Sequence, residues 1–445
     1  MIHAFEYTQE ITYYFLWDPE SGSLFQTDYA AYLVCKDKLT AEQIKDLNAL
    51  SEKEREGIKE EIKSLEKSGL INIPVRDYGH ITKRRDIKAL CLNICHDCNL
   101  RCEYCFASEG TYNTPRDYMS VEVGKKAIDF LISRSGGRKS LEVDFFGGEP
   151  LMNFDTVKAV VDYAEQEACK YNKEFHFTLT TNGLLLNDGV IDYLNDKMNN
   201  VVISIDGRKD VHNRVRKSIN GKDSYDIILN NALKFISKRI GKYYIRGTFT
   251  ALNTDFYKDV LSLNDKGFDQ ISIEPVVLNS EHPLAIKNEH IKPVLDSYEK
   301  LAREYIIRRK GDKWFNFFHF MLDLINGPCV QKRLTGCGAG SEYLAVSPTG
   351  DIYPCHQFVG NNDFYMGSVL DNTLNTDIQD KFIEVNVTKK AECSDCMAKY
   401  YCSGGCIANS YHYEKELSKP YQGACEMMKK RFELSLAIYA IENLI

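Results

Sequence analysis

Three cysteines lie close together in the first quarter of the chain, at Cys98, Cys102 and Cys105. No fourth cysteine follows them at a similar interval. A closed zinc site or a ferredoxin-type cluster uses four protein ligands. Three thiolates on one tight loop can instead hold a 4Fe-4S cluster and leave one iron free to bind another molecule. The alternative is a zinc loop that a distant residue such as His96 completes.

A second group of cysteines is concentrated near the end of the chain. Its members are Cys329, Cys337, Cys355, Cys393, Cys396, Cys402, Cys406 and Cys425. A secreted disulfide scaffold is small and follows a signal peptide, and we expect neither property here. Clustered thiols in a large chain indicate metal, held either in iron-sulfur clusters or in two zinc ribbons.

Composition narrows the class of protein. The chain has 445 residues and a net charge of −7, which allows two or three domains with a large core. A mildly acidic, evenly mixed chain has no general electrostatic reason to bind nucleic acid or an anionic membrane. We find no apolar run long enough to span a bilayer and no signal-peptide pattern at the start. We therefore expect a cytoplasmic enzyme.

The elements that must position the first cysteines alternate between strand and helix. From residue 88 onward, strands are predicted at 88–94, 141–146, 174–180, 201–206, 243–250 and 270–275, with helices between them. Right-handed crossovers would wind these six repeats into a parallel sheet. Six repeats are too few for an eight-stranded barrel, so the sequence predicts an α/β domain, a partial (β/α)6 barrel over residues 86–310.

Distinctive residues occur where these strands end, which is where such sheets place their sites. The second strand ends in Gly147, Gly148 and Glu149. Paired glycines let the backbone approach a ligand closely, and a carboxylate can accept hydrogen bonds from an ammonium group. Arg216 follows the fourth strand and could bind a carboxylate, although a single arginine is more often a surface charge.

The cysteine stretch from Cys98 to Phe106, with its Asn-Leu and Tyr positions, resembles the cluster loop of radical S-adenosylmethionine (SAM) enzymes. The Gly-Gly-Glu-Pro element and the Ser-Ile-Asp-Gly to Arg216 interval resemble the same family. The resemblance implies a 5′-deoxyadenosyl radical, made by one electron from the reduced cluster, that removes hydrogen from unactivated carbon. It implies that SAM binds the free iron, with its amino group at Glu149, its carboxylate at Arg216 and Tyr104 against it. The implied cofactor contacts are Tyr104, Gly147, Gly148, Glu149, Thr180, Asn182, Ser204, Asp206, Arg216 and Val276.

The second cysteine group resembles the auxiliary-cluster (SPASM) domain of radical SAM enzymes that modify peptides and proteins, here over residues 311–445. The ligation in that family implies that one 4Fe-4S cluster is held by Cys393, Cys396, Cys402 and Cys425. It implies that another is held by Cys337, Cys355 and Cys406, with Cys329 as the fourth ligand. If Cys329 does not ligate, that cluster has an open iron for a substrate thiolate. Three clusters are expected in all.

Residues 1–85 read as a winged-helix-like unit. Strands are predicted at 3–8, 13–17, 23–27 and 70–75, with helices at 27–34, 40–47 and 52–68. The unit resembles the peptide-recognition domain of peptide-modifying radical SAM enzymes, in which a sheet edge captures the leader of a precursor peptide. The alternative is an ordinary N-terminal cap on the barrel.

The choice of substrate depends on His356. The sulfatase-activating branch of the family has an Asp at this position, directly after the cysteine equivalent to Cys355, so the histidine argues against that branch. His356 is our candidate for a catalytic proton-transfer role, against a plain hydrogen bond behind the cluster. Chain length, domain order and the cysteine motif look most like the maturases of six-cysteine (SCIFF) peptides. These form thioether bonds from cysteine sulfur to the α-carbon of an acceptor residue.

Two other functions stay open from the sequence. One is an anaerobic sulfatase-type maturase that makes formylglycine. The other is an electron-transfer or cluster-scaffold protein without radical chemistry, which does not explain the residues at the strand ends. As partners we expect a ribosomally made precursor peptide, bound by its leader, and an electron donor such as a flavodoxin or a ferredoxin.

Overall fold

The computed structural model describes residues 2–75, 78 and 85–443. It begins with an antiparallel sheet in the order β1-β2-β3, formed by β1 (His3–Thr8), β2 (Thr12–Asp18) and β3 (Ser23–Thr27). Three helices follow, α1 (Tyr29–Cys35), α2 (Ala41–Ala49) and α3 (Glu52–Lys67). The last two begin with capping boxes, in which Thr40 pairs with Gln43 and Ser51 with Glu54. These strands and helices agree with the sequence prediction.

The strand predicted at 70–75 is wrong, because other groups take its backbone hydrogen bonds. The carbonyl of Leu70 accepts from the Ser21 hydroxyl at 2.7 Å. The backbone N–H of Asn72 donates to the carboxylate of Asp18, and Asn72 has a φ of 50°, which ends any extended run.

The barrel region follows and confirms the six predicted repeats of strand and helix. Its elements are β4 (Ala89–Cys95), β5 (Leu100–Cys102), α4 (Val121–Arg134), β6 (Ser140–Gly147), α5 (Phe154–Tyr171), β7 (Glu174–Thr181), α6 (Asp188–Lys197), β8 (Asn200–Ser204), α7 (Lys209–Val215), β9 (Arg216–Ser218), α8 (Tyr225–Lys238), β10 (Lys242–Phe249), α9 (Tyr257–Asp265), β11 (Gln270–Pro275) and α10 (Asn288–Arg309). Two of these strands, β5 and β9, are short additions to the six repeats and pair with each other. All seven residues of β4 are buried, as expected for a parallel strand covered on both faces.

The C-terminal part extends the same sheet. Its elements are β12 (Asn316–Phe317), α11 (Val330–Thr335), β13 (Tyr343–Val346), β14 (Asp351–Tyr353), β15 (Gly367–Ser368), α12 (Thr376–Glu384), α13 (Lys399–Cys402), α14 (Ile407–Glu414) and α15 (Gln422–Asn443). The resulting sheet has ten strands in the order β12-β11-β10-β8-β7-β6-β4-β13-β14-β15. Strand β13 pairs in parallel with β4, so the C-terminal cysteines are joined directly to the barrel.

The N-terminal sheet packs on the C-terminal part of the chain. Phe5, Phe15 and Trp17 belong to the same apolar core as the barrel strands. The indole N–H of Trp17 donates to the carbonyl of Met397 at 2.9 Å, and its ring meets Phe432 edge to face at 5.4 Å between centroids. None of the described helices combines the length and the apolarity needed to cross a bilayer.

Trp17 provides a test of this packing. We expect Trp17→Ala to lower the free energy of unfolding by roughly 3–5 kcal/mol, because the change leaves a cavity and an unpaired carbonyl at Met397. The measurement is urea unfolding followed by circular dichroism. The control is Trp314→Ala, since the Trp314 side chain is half exposed and should cost much less. Equal losses in the two variants would contradict the docking of the N-terminal sheet.

Candidate active site

A cavity of about 530 Å³ opens at the carboxyl ends of the parallel strands. Its wall includes Cys98, Cys102 and Cys105 on the side of the barrel loop. Cys402, Cys406 and Cys425 from the C-terminal part line the same cavity. Its volume lies in the range of ligand pockets. Three cysteines from each of the two groups singled out from the sequence therefore face one shared space.

The three cysteines of the barrel loop lie within electrostatic reach of one another. Burial, with smaller contributions from Glu149, Cys102 and Cys105, raises the pKa of Cys98 to about 12. The side-chain amide of Asn182 reaches the Cys98 sulfur at 3.6 Å and Asn99 Oδ1 at 2.6 Å, which fixes the loop. Buried thiols of high pKa become thiolates when a metal binds them, so this group fits the cluster that the sequence implies.

Arg216 is held opposite the loop by a short antiparallel pairing that the sequence analysis missed. Strand β9 pairs with β5, and this places Arg216 across from Cys102. Its Nη1 donates to the Tyr104 hydroxyl at 2.8 Å, and that hydroxyl donates to Asp206 at 2.7 Å. The Arg216 Nε is buried and has no hydrogen-bond partner among the described residues. A buried guanidinium with an unused N–H, on the wall of the cavity, fits a carboxylate ligand such as that of SAM.

The sequence resemblance places the amino group of SAM at Glu149, but the Glu149 side chain is not part of the cavity wall. Its buried carboxylate accepts from the backbone N–H of Leu151 at 3.0 Å, from the Thr181 hydroxyl at 2.8 Å and from the Asn182 N–H at 2.7 Å. Burial raises its pKa to about 7, while these hydrogen bonds act in the opposite direction. The wall of the cavity here is instead Gly147 and Gly148. The structure thus uses the Glu149 carboxylate to join two strand ends and presents backbone to a ligand.

Gly148 is where this close approach is required. A Cβ atom at Gly148 would lie 1.9 Å from the carbonyl oxygen of Asp97, which a side chain cannot do. Only glycine lets β6 and the cysteine loop pass each other at this distance.

The remaining predicted cofactor residues also gather here. Thr180, Asn182, Ser204 and Val276 line the cavity. Asp206 is fully buried, accepts from the Tyr104 hydroxyl and from the Thr248 N–H at 3.0 Å, and so fixes Tyr104. Their role as SAM contacts stays a prediction that this arrangement fits.

The C-terminal cysteines fall into two groups. Burial raises the pKa of Cys355 well above its usual range, and Cys406 and Cys337 raise it further. Burial raises the pKa of Cys393 and of Cys425 to about 11; Cys402 and Cys396 add to both shifts. These groups have the composition that the resemblance implies for two auxiliary clusters.

Cys329 is less well placed than its proposed partners. It is exposed and precedes α11, and its carbonyl accepts from the Arg333 N–H at 3.0 Å. Its ligation stays a prediction. Across the described parts of the chain, no three His, Cys, Asp or Glu side chains are grouped closely enough for a single metal ion.

His356 lies on the cavity wall between aromatic rings. Its ring centroid is 5.5 Å from that of Phe106 and 5.0 Å from that of Phe146. Its Nδ1 is 3.5 Å from the Tyr343 hydroxyl. Burial, with the nearby Arg246 cation, lowers its pKa to about 4. His356 is therefore neutral at pH 7, and its surroundings disfavour the protonated ring.

Four charged or polar residues on the wall were not identified from the sequence. Arg246 pairs with Glu274 at 2.7 Å, and Arg431 lies 2.9 Å from Nδ1 of His319. Arg246 and Glu274 stand on strands β10 and β11, in alternation with apolar residues that face the helices. This alternation with a period of two residues is the sequence pattern that could have identified Arg246 and Glu274.

Comparison with known proteins agrees with this geometry. Residues 92–263 match the radical SAM superfamily, and residues 337–397 match the SPASM iron-sulfur cluster-binding domain. The chain carries a radical SAM domain and a SPASM domain. The first of these implies SAM and a 4Fe-4S cluster, and the second implies further iron-sulfur clusters.

Two curated relatives are similar over most of the chain. The radical SAM cyclopropyl synthase TigE of Paramaledivibacter caminithermalis is 23% identical over 376 residues, which are 80% of this chain and 75% of TigE. A cysteine-type anaerobic sulfatase-maturating enzyme of Clostridium novyi is 24% identical over 366 residues, 77% of this chain and 93% of the relative.

Solved structures share the fold of the radical SAM and SPASM domains. Native anSMEcpe with bound AdoMet and Kp18Cys peptide has a TM-score of 0.68 at 20% identity, covering 81% of this chain and 99% of that one. Streptococcus suis SuiB bound to the precursor peptide SuiA has a TM-score of 0.54 at 17% identity, covering 91% and 94%.

Arg216 tests the fit of SAM to this wall. We expect Arg216→Met to weaken SAM binding by roughly 10- to 100-fold, since a charge-assisted hydrogen bond is lost. Equilibrium dialysis of SAM with the iron-reconstituted protein measures this. Arg214→Met, an exposed cation two positions away, serves as the control and should bind SAM normally. Unchanged affinity in Arg216→Met would contradict the assignment.

Asp144 gives the radical SAM domain a pH-dependent stability. It lies on β6 on the same face as Phe146, and burial raises its pKa to about 7, with Glu142 adding to the shift. The folded state therefore holds a proton that the unfolded state loses above about pH 4. Its stabilising effect is complete below that pH and is lost as the pH rises through about 7.

Replacement by the neutral amide removes this dependence. We expect Asp144→Asn to change the free energy of unfolding little at pH 4 and to raise it by about 2 kcal/mol at pH 8. Urea unfolding at the two pH values measures it, with Asp155→Asn as an exposed control. A gain that is equal at both pH values would refute the buried-proton explanation.

Proposed function

We propose that this protein is a radical SAM peptide maturase that forms thioether crosslinks, from cysteine sulfur to an α-carbon, in a cysteine-rich precursor peptide. The observation that carries the proposal is the shared cavity, lined by the barrel cysteine loop and by Cys402, Cys406 and Cys425 from the C-terminal part of the chain. Bound SAM and the reduced cluster would supply a 5′-deoxyadenosyl radical that removes hydrogen from carbon.

The residues of this chain contribute placement and proton transfer. Gly147, Gly148 and Arg216 would hold the amino acid part of SAM, and Tyr104 and Asp206 fix the guanidinium. Each thioether removes two hydrogens from the peptide. The radical would take one as a hydrogen atom, and the remaining electron would pass to an auxiliary cluster that the SPASM domain implies. The other hydrogen would leave as the thiol proton, which needs an acceptor. Neutral His356, on the cavity wall, is our candidate for that acceptor.

The N-terminal unit would bind the leader of the peptide. Strand β3 pairs only with β2 within the described part of the chain, so its other edge can accept an added strand. The relative SuiB was solved with its precursor peptide SuiA, and we extend peptide binding to this chain as part of the proposal. The electron would come from an external donor such as a flavodoxin or a ferredoxin.

Formylglycine formation is the second candidate. The relatives named as anaerobic sulfatase-maturating enzymes include the one from Clostridium novyi, which this chain covers over 93% of its length. Against this candidate stands His356 in place of the carboxylate that the sulfatase-activating branch carries.

Product analysis separates the candidates. Iron-reconstituted, reduced protein is incubated with SAM and a synthetic cysteine-rich precursor peptide that includes its leader. We expect 5′-deoxyadenosine and a peptide lighter by two hydrogens per crosslink, with cysteine–α-carbon bonds located by tandem mass spectrometry. An aldehyde captured by a hydrazide would instead favour formylglycine.

The control for this experiment removes the barrel cluster. The triple variant Cys98→Ala, Cys102→Ala, Cys105→Ala should yield no 5′-deoxyadenosine. If the unmodified protein also yields none, the chain is a cluster carrier rather than an enzyme, and the proposal fails.

A further inference from the structure

Lys390 is a buried cation beside the C-terminal cysteines. The residue is 5% exposed. Its Nζ donates to the carbonyl of Gly404 at 2.7 Å, and no carboxylate among the described residues forms an ion pair with it. Burying an ammonium group without a counter-charge costs free energy. The site therefore requires an anion that the described carboxylates do not supply.

The position of Lys390 ties together two segments that carry ligands. Its backbone carbonyl accepts from the Cys393 N–H at 3.0 Å, at the start of one segment. Gly404, which receives the ammonium group, lies between Cys402 and Cys406 in the other. The side chain packs so closely that a Cβ at Gly404 would come within 3.1–3.3 Å of the Lys390 Cδ, Cε and Nζ atoms. The ammonium group is thus fixed next to the cysteines rather than free to move away.

The cysteines around Lys390 indicate which anion would balance its charge. Burial lowers the pKa of Lys390, and the thiols of Cys393, Cys402, Cys425 and Cys406 act in the opposite direction. The geometry agrees, because Nζ donates to Gly404, which lies two residues from Cys402 and two from Cys406, and the Lys390 carbonyl accepts from the Cys393 N–H. Three of these cysteines, Cys393, Cys402 and Cys425, belong to the group that is assigned to one cluster. The fourth member of that group is Cys396.

Another buried lysine nearby shows the contrast. Lys399 is 8% exposed and forms an ion pair with Glu20 of the N-terminal sheet. Its charge is balanced by protein, whereas that of Lys390 faces thiols.

We propose that Lys390 is a positioning residue whose fixed positive charge raises the reduction potential of the auxiliary cluster held by Cys393, Cys396, Cys402 and Cys425. A cluster with four thiolate ligands is anionic, and reduction adds one more electron to it. A cation held close by in a medium of low dielectric constant stabilises the reduced form more than the oxidised form. Lys390 thereby makes this cluster more readily reduced than it would be without the charge, and suits it to take up an electron.

This inference rests on the cluster assignment made for the proposed function. It needs no peptide substrate for its test, because iron content and reduction potential are measured on the protein alone.

The experiment uses the full chain with Cys98→Ala, Cys102→Ala and Cys105→Ala, so that only auxiliary clusters remain. Two substitutions are compared in this background. Lys390→Gln removes the charge and can still donate a hydrogen bond, whereas Lys390→Arg keeps the charge. Lys389→Gln is the matched control, since Lys389 is adjacent and exposed, where water and salt screen its charge. Iron is counted after anaerobic reconstitution, and the clusters are titrated with mediators under electron paramagnetic resonance.

We expect Lys390→Gln to keep its iron and to shift one auxiliary signal to a more negative potential. Lys390→Arg and Lys389→Gln should stay at the parent potential. Loss of iron in Lys390→Gln but not in Lys390→Arg would also support the role of the charge. An unchanged potential with full iron in Lys390→Gln, an equal shift in Lys389→Gln, or loss of iron in both Lys390 variants would overturn the inference. If the parent protein binds no auxiliary iron, the cluster assignment itself fails, which is a distinct result.

Discussion

The parallel pairing of β13 with β4 decides where the two groups of cysteines lie. Ala345 stands opposite Cys91 and Val346 opposite Leu92, so the C-terminal part continues the sheet from which the Cys98 loop emerges. Strand β14 then returns antiparallel to β13 and leads to Cys355 and His356, beside Phe106 and Phe146. A slip of one residue in this pairing would turn alternate side chains to the opposite face. The shared cavity, and any chemistry across it, depends on this register.

Burial has the same consequence at each group of cysteines. It raises the pKa of thiols such as Cys98, Cys355 and Cys393, so that without metal they hold their protons. The structure also places a buried cation by two of the groups, Arg216 opposite Cys102 and Lys390 beside Cys393. The anionic clusters that the two domains imply would thereby meet protein charge on both sides of the cavity. The barrel side has an arginine suited to a carboxylate, and the other side has a lysine that pairs with no carboxylate among the described residues.

Much of the fold could be predicted because the sequence patterns that indicate its strands and helices involve neighbouring residues. Buried parallel strands such as β4 read as continuous apolar runs, and the helices begin at capping residues such as Ser51 and Ser120. The failures involve contacts between distant segments. The strand expected at 70–75 lost its hydrogen bonds to Ser21 and Asp18, and the pairing of β5 with β9 joins residues more than 100 positions apart. Neither is visible in a pattern of neighbouring residues.

The sequence by itself indicated a three-cysteine cluster loop with a ligand-binding backbone beside it. The spacing of Cys98, Cys102 and Cys105 and the glycines after the second strand are local features of loops, so a sequence pattern can reveal them. It also predicted which C-terminal cysteines belong together. Only the tertiary structure decided that both cysteine groups face one cavity, since that follows from the pairing of β13 with β4. It likewise showed that the carboxylate of Glu149 accepts hydrogen bonds from the end of a second strand. The donors that occupy it, from Thr181 and Asn182, come from a strand more than 30 residues away, and no local spacing encodes that contact.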